Sequence, residues 1–472
     1  MKLIPVCAGA LFSVVICACS QSSSPTPPVQ QDQAISPMQA VSPLQSEERQ
    51  QDQTEGLPTL SGALPVQQID AAPDGTMAST YGRIGVAHVF DTTPANIDNL
   101  RNRFDVVWGS FDPTPWRNAD PAALVSRYYI LEEDSYEITG RTLAWWEAHE
   151  PSWILYACTP RGHLTREVAY TPGVGFPDVP LNISNPAVVE YQVRSLASYA
   201  IAHHYNAVAI DEVLLENVLL GGNPKLGQRI YPGYYACGSW YGSRPVVRYT
   251  SKTSSLWAAD VLNWIREAHR ILASEHLTMI INHPASDLTS TEESLIANVD
   301  VLQNETGFTD YGNYTQAVHR GLFNTTVNWM RYVQREGKGV VTVAKFVQDR
   351  PLNASQKEYA VASYMMGSEG KSDLDMTLST YSSQAYYSEY NVRLGTPCGE
   401  MTNGGSSAPQ IYMRRYTGGI VVLNSGSLPR TYEVARLPAG HVYRDIEGRR
   451  VTNPLAVHSS DAFIMRTSDG CH

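Results

Sequence analysis

Positive charge is in short supply. The 472 residues hold 35 lysines and arginines against 46 aspartates and glutamates, a net charge of −11. Without a basic field to collect phosphates, a nucleic-acid partner is not expected. Past residue 18 no stretch is apolar and long enough to cross a bilayer. No glycine-rich phosphate loop follows the first strand-like run, where a dinucleotide-binding sheet would often need one. Cysteine is scarce, at seven residues. No two of those in the folded part lie at metal-ligand spacing, and no His/Asp cluster is visible, so no metal site is expected and a metal-dependent polysaccharide deacetylase is disfavoured. No cofactor is called for, and no internal repeat is found.

The N-terminus is specific. Lys2 precedes an apolar run from Leu3 to Ala18, followed by a polar tract. That reads as a secretory signal over residues 1–18, too short for a spanning helix. Its ending, Ile16-Cys17-Ala18-Cys19, resembles a bacterial lipobox, which makes Cys19 the expected lipidated first residue; an ordinary signal peptide is the other reading. Ser20 follows rather than aspartate, which in a Gram-negative cell implies the outer membrane. Membrane contact is then expected through that lipid alone. Residues 19–79, rich in Ser, Pro and Gln, cannot bury enough apolar surface to order themselves and read as a tether. Four cysteines remain beyond them. An exported chain with an even count implies disulfides, and sequence proximity favours Cys158 with Cys237 and Cys398 with Cys471 among three possible pairings.

From residue 82 strand-like and helix-like runs alternate. The strands are IGVAHVF (84–90), FDVVWGS (104–110), RYYIL (127–131), AVAID (207–211), TMIIN (278–282), VDVLQNE (299–305), GVVTVAKF (339–346) and a poorly defined eighth near Leu374 to Leu378. Helical stretches cover 185–204, 255–276, 314–336 and 354–367. In the second of these Trp257, Val261, Trp264 and Ala268 recur at helical spacing. Eight such units predict a (β/α)8 TIM barrel over residues 80–404, with a doubly wound open sheet as the competitor. Residues 137–184 form a long excursion after the third strand, with a hairpin turned at Arg161-Gly162. After residue 405, QIYMRRY, GGIVVLNSG, RTYEVARL, HVYRDIEG and DAFIMRT predict a small antiparallel β-sandwich over residues 405–472.

The barrel gives meaning to the acids in AVAIDEVLLEN. Ala207 to Ile210 do not alternate, as befits a strand covered on both faces, and the run ends on Asp211 and Glu212. Glu305 ends the sixth strand. All C-terminal strand ends of a barrel open on one face, so Asp211 and Glu305 can meet across a cleft. A facing carboxylate pair is what glycosidic hydrolysis needs: one attacks or stabilises the sugar centre and the other protonates the leaving oxygen. Glu212 should face away from Asp211 along a strand, and it and Glu216 also read as solvated loop acids. Asn282 and His283 end strand five and could bond sugar hydroxyls; a structural histidine is the alternative for the second. Lys345, near the end of strand seven, could pair with a carboxylate. His88 and Asp91 end strand one. Trp108 ends strand two, as a sugar platform or as plain core. The 27 tyrosines and nine tryptophans fit either core packing or sugar stacking.

LNISNPAVVEYQVRSLASYA followed by NAVAIDEVLLEN is similar to a block in the glycoside hydrolases grouped as hypothetical glycosyl hydrolase family 15. The NHP after strand five, ASYMMG, and YNVRLGTPCGE leading into MRRYTGGIVVLNSG fit the same group in the same order, over roughly residues 82–450. That group looks related to the endo-α-1,4-galactosaminidase-like barrels. The resemblance implies a carbohydrate substrate, an Asp on strand four and a Glu on strand six, here Asp211 as nucleophile and Glu305 as general acid/base. Asn often follows that Asp in the family, whereas Glu212 stands here. A non-catalytic carbohydrate-binding lipoprotein on the same scaffold is the rival reading.

Overall fold

The computed structural model describes residues 83–89, 104–170, 178–221, 231–305, 307–308, 320–346, 351–378, 386–404, 407–426 and 432–471. The signal run, Cys19, the tether and Asp91 lie outside them. Eight strands make the frame: β1 (Gly85–Val89), β2 (Val106–Trp108), β3 (Leu124–Ile130), β4 (Ala207–Asp211), β5 (Thr278–Asn282), β6 (Val301–Asn304), β7 (Gly339–Phe346) and β8 (Ser372–Leu378). They close in the order β1, β8, β7, β6, β5, β4, β3, β2, every neighbouring pair parallel. This is the (β/α)8 barrel that the alternation predicts. It excludes the open sheet.

Two-residue alternation sorts each strand into an inner and an outer face. Ala87, Val106, Trp108, Leu124, Ala207, Ala209, Ile280, Val301, Val341 and Val343 form one cluster inside the barrel. Val208, Ile210, Met279, Ile281, Leu302, Phe346, Leu374 and Met376 belong instead to the large core under the helices. Carried on to the strand ends, the inner parity puts Asp211, Asn282, Glu305 and Lys345 at the same end of the barrel bore. That is the whole structural reason these four side chains meet.

The helices start where local chemistry allows. Asn185 in ISNP is an N-cap: its carboxamide oxygen accepts from the Ala187 N–H, and Pro186 takes the first helical position of Pro186–Ala202. Asn353 and Gln356 form a capping box at the start of Ala354–Gly367. Ser255–Ser274 buries Trp257, Val261, Trp264, Ala268 and Leu272 along one stripe. The helix expected over 314–336 is Arg320–Arg335 among the described residues. Short helices such as Pro113–Ala119, Leu143–His149 and Ser290–Ala297 escaped the sequence reading because none is long enough to show a period.

The excursion after β3 does contain the hairpin, Tyr156–Cys158 with Leu164–Tyr170, and Gly162 takes φ +79° in its turn. It is part of more than a hairpin. Tyr235–Tyr241 and Arg244–Val247, from the connection after β4, join it in a five-stranded antiparallel sheet. The Cys158–Cys237 disulfide crosses between the two connections, and Cys398–Cys471 ties the C-terminal segment; both are the expected pairs. Because both connections leave the carboxyl ends of adjacent barrel strands, the stapled sheet rises from the face that bears the acids.

Beyond residue 400 a four-stranded antiparallel sheet runs in the order Thr402–Asn403, Ile411–Tyr416, Gly419–Asn424, Ala462–Arg466. A ribbon of Tyr432–Ala435 and Leu455–His458 packs with it around Ile411, Val422, Leu437 and Met465. HVYRDIEG is not a strand. Asp445 accepts from the Glu447 and Arg449 N–H groups and Gly448 takes φ +87°, so the segment turns, with Arg444 alone bridging its neighbours. The other sheet face meets the barrel through Arg414, whose buried guanidinium donates to the carbonyls of Met365, Met366 and Ser368, at 3.0, 3.0 and 2.8 Å. Those carbonyls belong to the end of Ala354–Gly367, where helix C-termini leave acceptors open and favour a cation.

Candidate active site

Asp211 is the hub. Its Oδ1 accepts from Asn282 Nδ2 at 2.8 Å and from the Glu212 N–H at 2.9 Å, and its Oδ2 accepts from the Tyr128 hydroxyl at 2.7 Å. Asn282 Nδ2 also donates to Glu305 Oε2 at 3.0 Å, and Lys345 Nζ lies 2.7 Å from Glu305 Oε1. One amide nitrogen therefore bridges the two acids, and the bridged oxygens are separated by at most the sum of 2.8 and 3.0 Å, 5.8 Å. Burial and the Glu305 charge push the Asp211 carboxyl up, against the pull of its three donors. Burial and the Asp211 carboxylate push the Tyr128 phenol well above its ordinary value, so Tyr128 stays a donor.

Glu212 breaks the alternation. Its backbone sits in the left-handed region at φ +56°, a conformation that costs a non-glycine residue of the order of 1–3 kcal/mol. The strand has ended, so the rule that would turn Glu212 away from Asp211 no longer applies. Burial raises its carboxyl to about 9, with the Asp211, Glu132 and Glu305 charges adding to the effect. The folded protein thus holds a proton on Glu212 from the ordinary value of 4.5 up to about 9, where the unfolded chain has released it. In that window the native state binds more protons, so stability falls as pH rises. Glu212→Gln removes this slope. The variant is expected to gain on wild type in melting temperature steadily from about pH 5 to about pH 9; a constant or shrinking difference would refute the assignment.

The remaining expected residues divide cleanly. Asn282 and Lys345 are in the site. His283 is not: it is buried, with Nδ1 2.7 Å from the Val213 carbonyl and Nε2 3.0 Å from Glu292, so it braces the outside of the barrel. Trp108 is 0% exposed inside the bore and offers no face to a sugar. Glu216 is exposed. His88 lies on β1. Two groups were missed. Tyr128 follows Leu124 and Ser126 at two-residue steps on β3, and that parity would have found it. Asp375 is buried on the inner face of β8 beside Val343, and burial pushes it up to about 8. Among the described residues no group of His, Cys, Asp and Glu could hold a metal ion.

No protein-family model and no curated protein matches the chain. Solved structures match the chain at low identity. They include a maltogenic alpha-amylase from Thermotoga neapolitana (11% identity, 82% of this chain and 97% of that one, TM-score 0.43). An alpha-amylase from Geobacillus thermoleovorans complexed with acarbose shares 11% identity over 82% of this chain and 99% of that one, with a TM-score of 0.44. A mutant of the trehalulose synthase MutB shares 9% over 81% and 98%, with a TM-score of 0.47. None is similar enough to carry a residue assignment.

Proposed function

We propose that this barrel is a glycoside hydrolase acting with retention through Asp211 and Glu305. The observation that carries the reading is the Asn282 bridge, which keeps two carboxylate oxygens within 5.8 Å. Retaining enzymes hold their carboxyl groups about 5–5.5 Å apart, and inverting ones about 6.5–9.5 Å. Asp211, fixed by three donors, attacks the anomeric carbon. Glu305 gives its proton to the leaving oxygen, then takes one from the water that hydrolyses the glycosyl ester. Asn282 orients both groups, Tyr128 aligns the attacking oxygen, and Lys345 positions Glu305. A second reading exchanges the two roles. It is favoured by the ammonium against Glu305, which supports its ionised form, and by the upward push on Asp211.

The test is a panel of oligosaccharides and aryl glycosides of differing sugar and anomeric form, incubated with the full chain and resolved by mass. Cleavage that disappears in Asp211→Asn supports the hydrolase. Binding without any cleavage favours the non-catalytic lectin-like reading. We further propose that the chain is anchored through a lipid on Cys19; fatty-acid labelling that persists in Cys19→Ala refutes this.

A further inference from the structure

Charge is spread unevenly along this protein. Residues 401–472 hold eight arginines, no lysine and five acidic residues, in a chain whose net charge is −11. Two of the arginines border one groove of about 420 Å³, walled by Glu400, Met413, Arg415, Ile420, Arg436 and Pro438. That volume falls in the range of small-molecule sites, roughly 300–1,000 Å³. Met413 and Arg415 stand two apart on Ile411–Tyr416 and so share a face, while Arg414 between them turns to the barrel helix. Arg436 arrives from the other side, just past the ribbon strand Tyr432–Ala435.

What makes the groove a site is the state of its charges. Neither Arg415 nor Arg436 makes a side-chain hydrogen bond or ion pair to any described residue, and both are exposed. The acid that lines the groove cannot neutralise them. Glu400 has one oxygen 2.8 Å from Arg335 and the other paired with Arg331, both on the helix Arg320–Arg335. Two open guanidinium forks over a floor of Met413, Ile420 and Pro438 suit a planar or tetrahedral anion carried on a ring with apolar C–H faces.

We propose that Arg415 and Arg436 bind an anionic sugar residue, a uronate carboxylate or a sulfate ester, of an acidic glycan. The choice of a glycan as the bearer of the charge rests on the hydrolase reading; the recognition of the anion does not. The groove lies on the C-terminal sheet, outside the barrel wall, so it would hold the polymer rather than cleave it.

The experiment titrates the full chain with fluorescently labelled oligogalacturonate, chondroitin sulfate oligosaccharide, neutral dextran oligosaccharide and oligothymidylate, followed by anisotropy. Every protein carries Asp211→Asn, so that nothing is turned over. At least one acidic glycan is expected to bind and dextran is not. Loss of a charged hydrogen bond is commonly worth a factor of about ten or more in affinity, so Arg415→Ala with Arg436→Ala should weaken binding at least tenfold. The double Arg→Lys variant keeps the charge, loses the fork, and should fall between. Both side chains are exposed, and equal melting temperatures will confirm folding. Binding by the uronate or by the sulfate arm identifies the anion. Affinity unchanged in the double alanine variant, no binding of either acidic glycan, or arginine-dependent binding of oligothymidylate alone overturns the proposal. A chain that cleaves nothing yet binds acidic glycans through these arginines keeps this inference and loses the hydrolase. Cleavage without arginine-dependent binding does the reverse.

Discussion

Asp211→Asn is expected to lower kcat/KM by about 10⁴-fold or more on every glycoside the wild type cleaves, because a carboxamide cannot form the glycosyl ester. The substitution changes little else. Asparagine has nearly the same shape, and its oxygen can keep the Asn282 and Glu212 donors now 2.8 and 2.9 Å away. The negative charge it removes is one that burial and the Glu305 charge oppose. The melting temperature should therefore hold or rise, and that separates a chemical loss from an unfolded protein. Asp211→Gly should regain turnover of an activated aryl glycoside in azide and yield a glycosyl azide of inverted configuration. Retention of more than about a hundredth of wild-type activity in Asp211→Asn would exceed what loss of an essential group allows and remove Asp211 from the role.

The convergence of Asp211 with Glu305 could be read from the chain because it depends on two simple quantities. One is the count of strand–helix units, which makes a closed barrel. The other is parity, which carries Ala207 and Ala209 to Asp211, Val301 to Glu305, and Val341 and Val343 to Lys345. The same parity separates Asn282 from its neighbour His283 and adds Tyr128. What could not be read depends on partners distant in sequence. Tyr235–Tyr241 became a strand because Tyr156–Cys158 offered it an edge, 79 residues away by the Cys158–Cys237 link. Glu212 departs from parity through one backbone angle, and nothing in Asp-Glu-Val announces a left-handed residue. HVYRDIEG has the composition of a strand, yet the Asp445 carboxylate bonds two following N–H groups and closes a turn first.

Glu305→Gln should behave differently from Asp211→Asn, and the difference decides the division of labour. If Glu305 is the proton donor, its loss weighs on leaving groups that need the proton. A factor of about 10²–10⁴ is expected on unactivated oligosaccharides, with far less on a dinitrophenyl glycoside. The glycosyl ester should then accumulate, and a 2-fluoro glycoside should label the peptide bearing Asp211. The exchanged roles make the opposite forecast. Glu305, held ionised by Lys345 at 2.7 Å, would be labelled, and its loss would be as severe on the activated substrate as on the natural one. Lys345→Met supplies an independent arm. Removing the ammonium leaves Glu305 with Asp211 as its charged neighbour, which favours its protonated form. A general acid would then keep its proton to higher pH, and the alkaline limb of kcat/KM should move upward. A nucleophile would ionise later, and the acidic limb should move upward instead. A pH profile unchanged in Lys345→Met would mean that the Lys345–Glu305 contact plays no part in the chemistry, and with it the positioning role of Lys345 would fall.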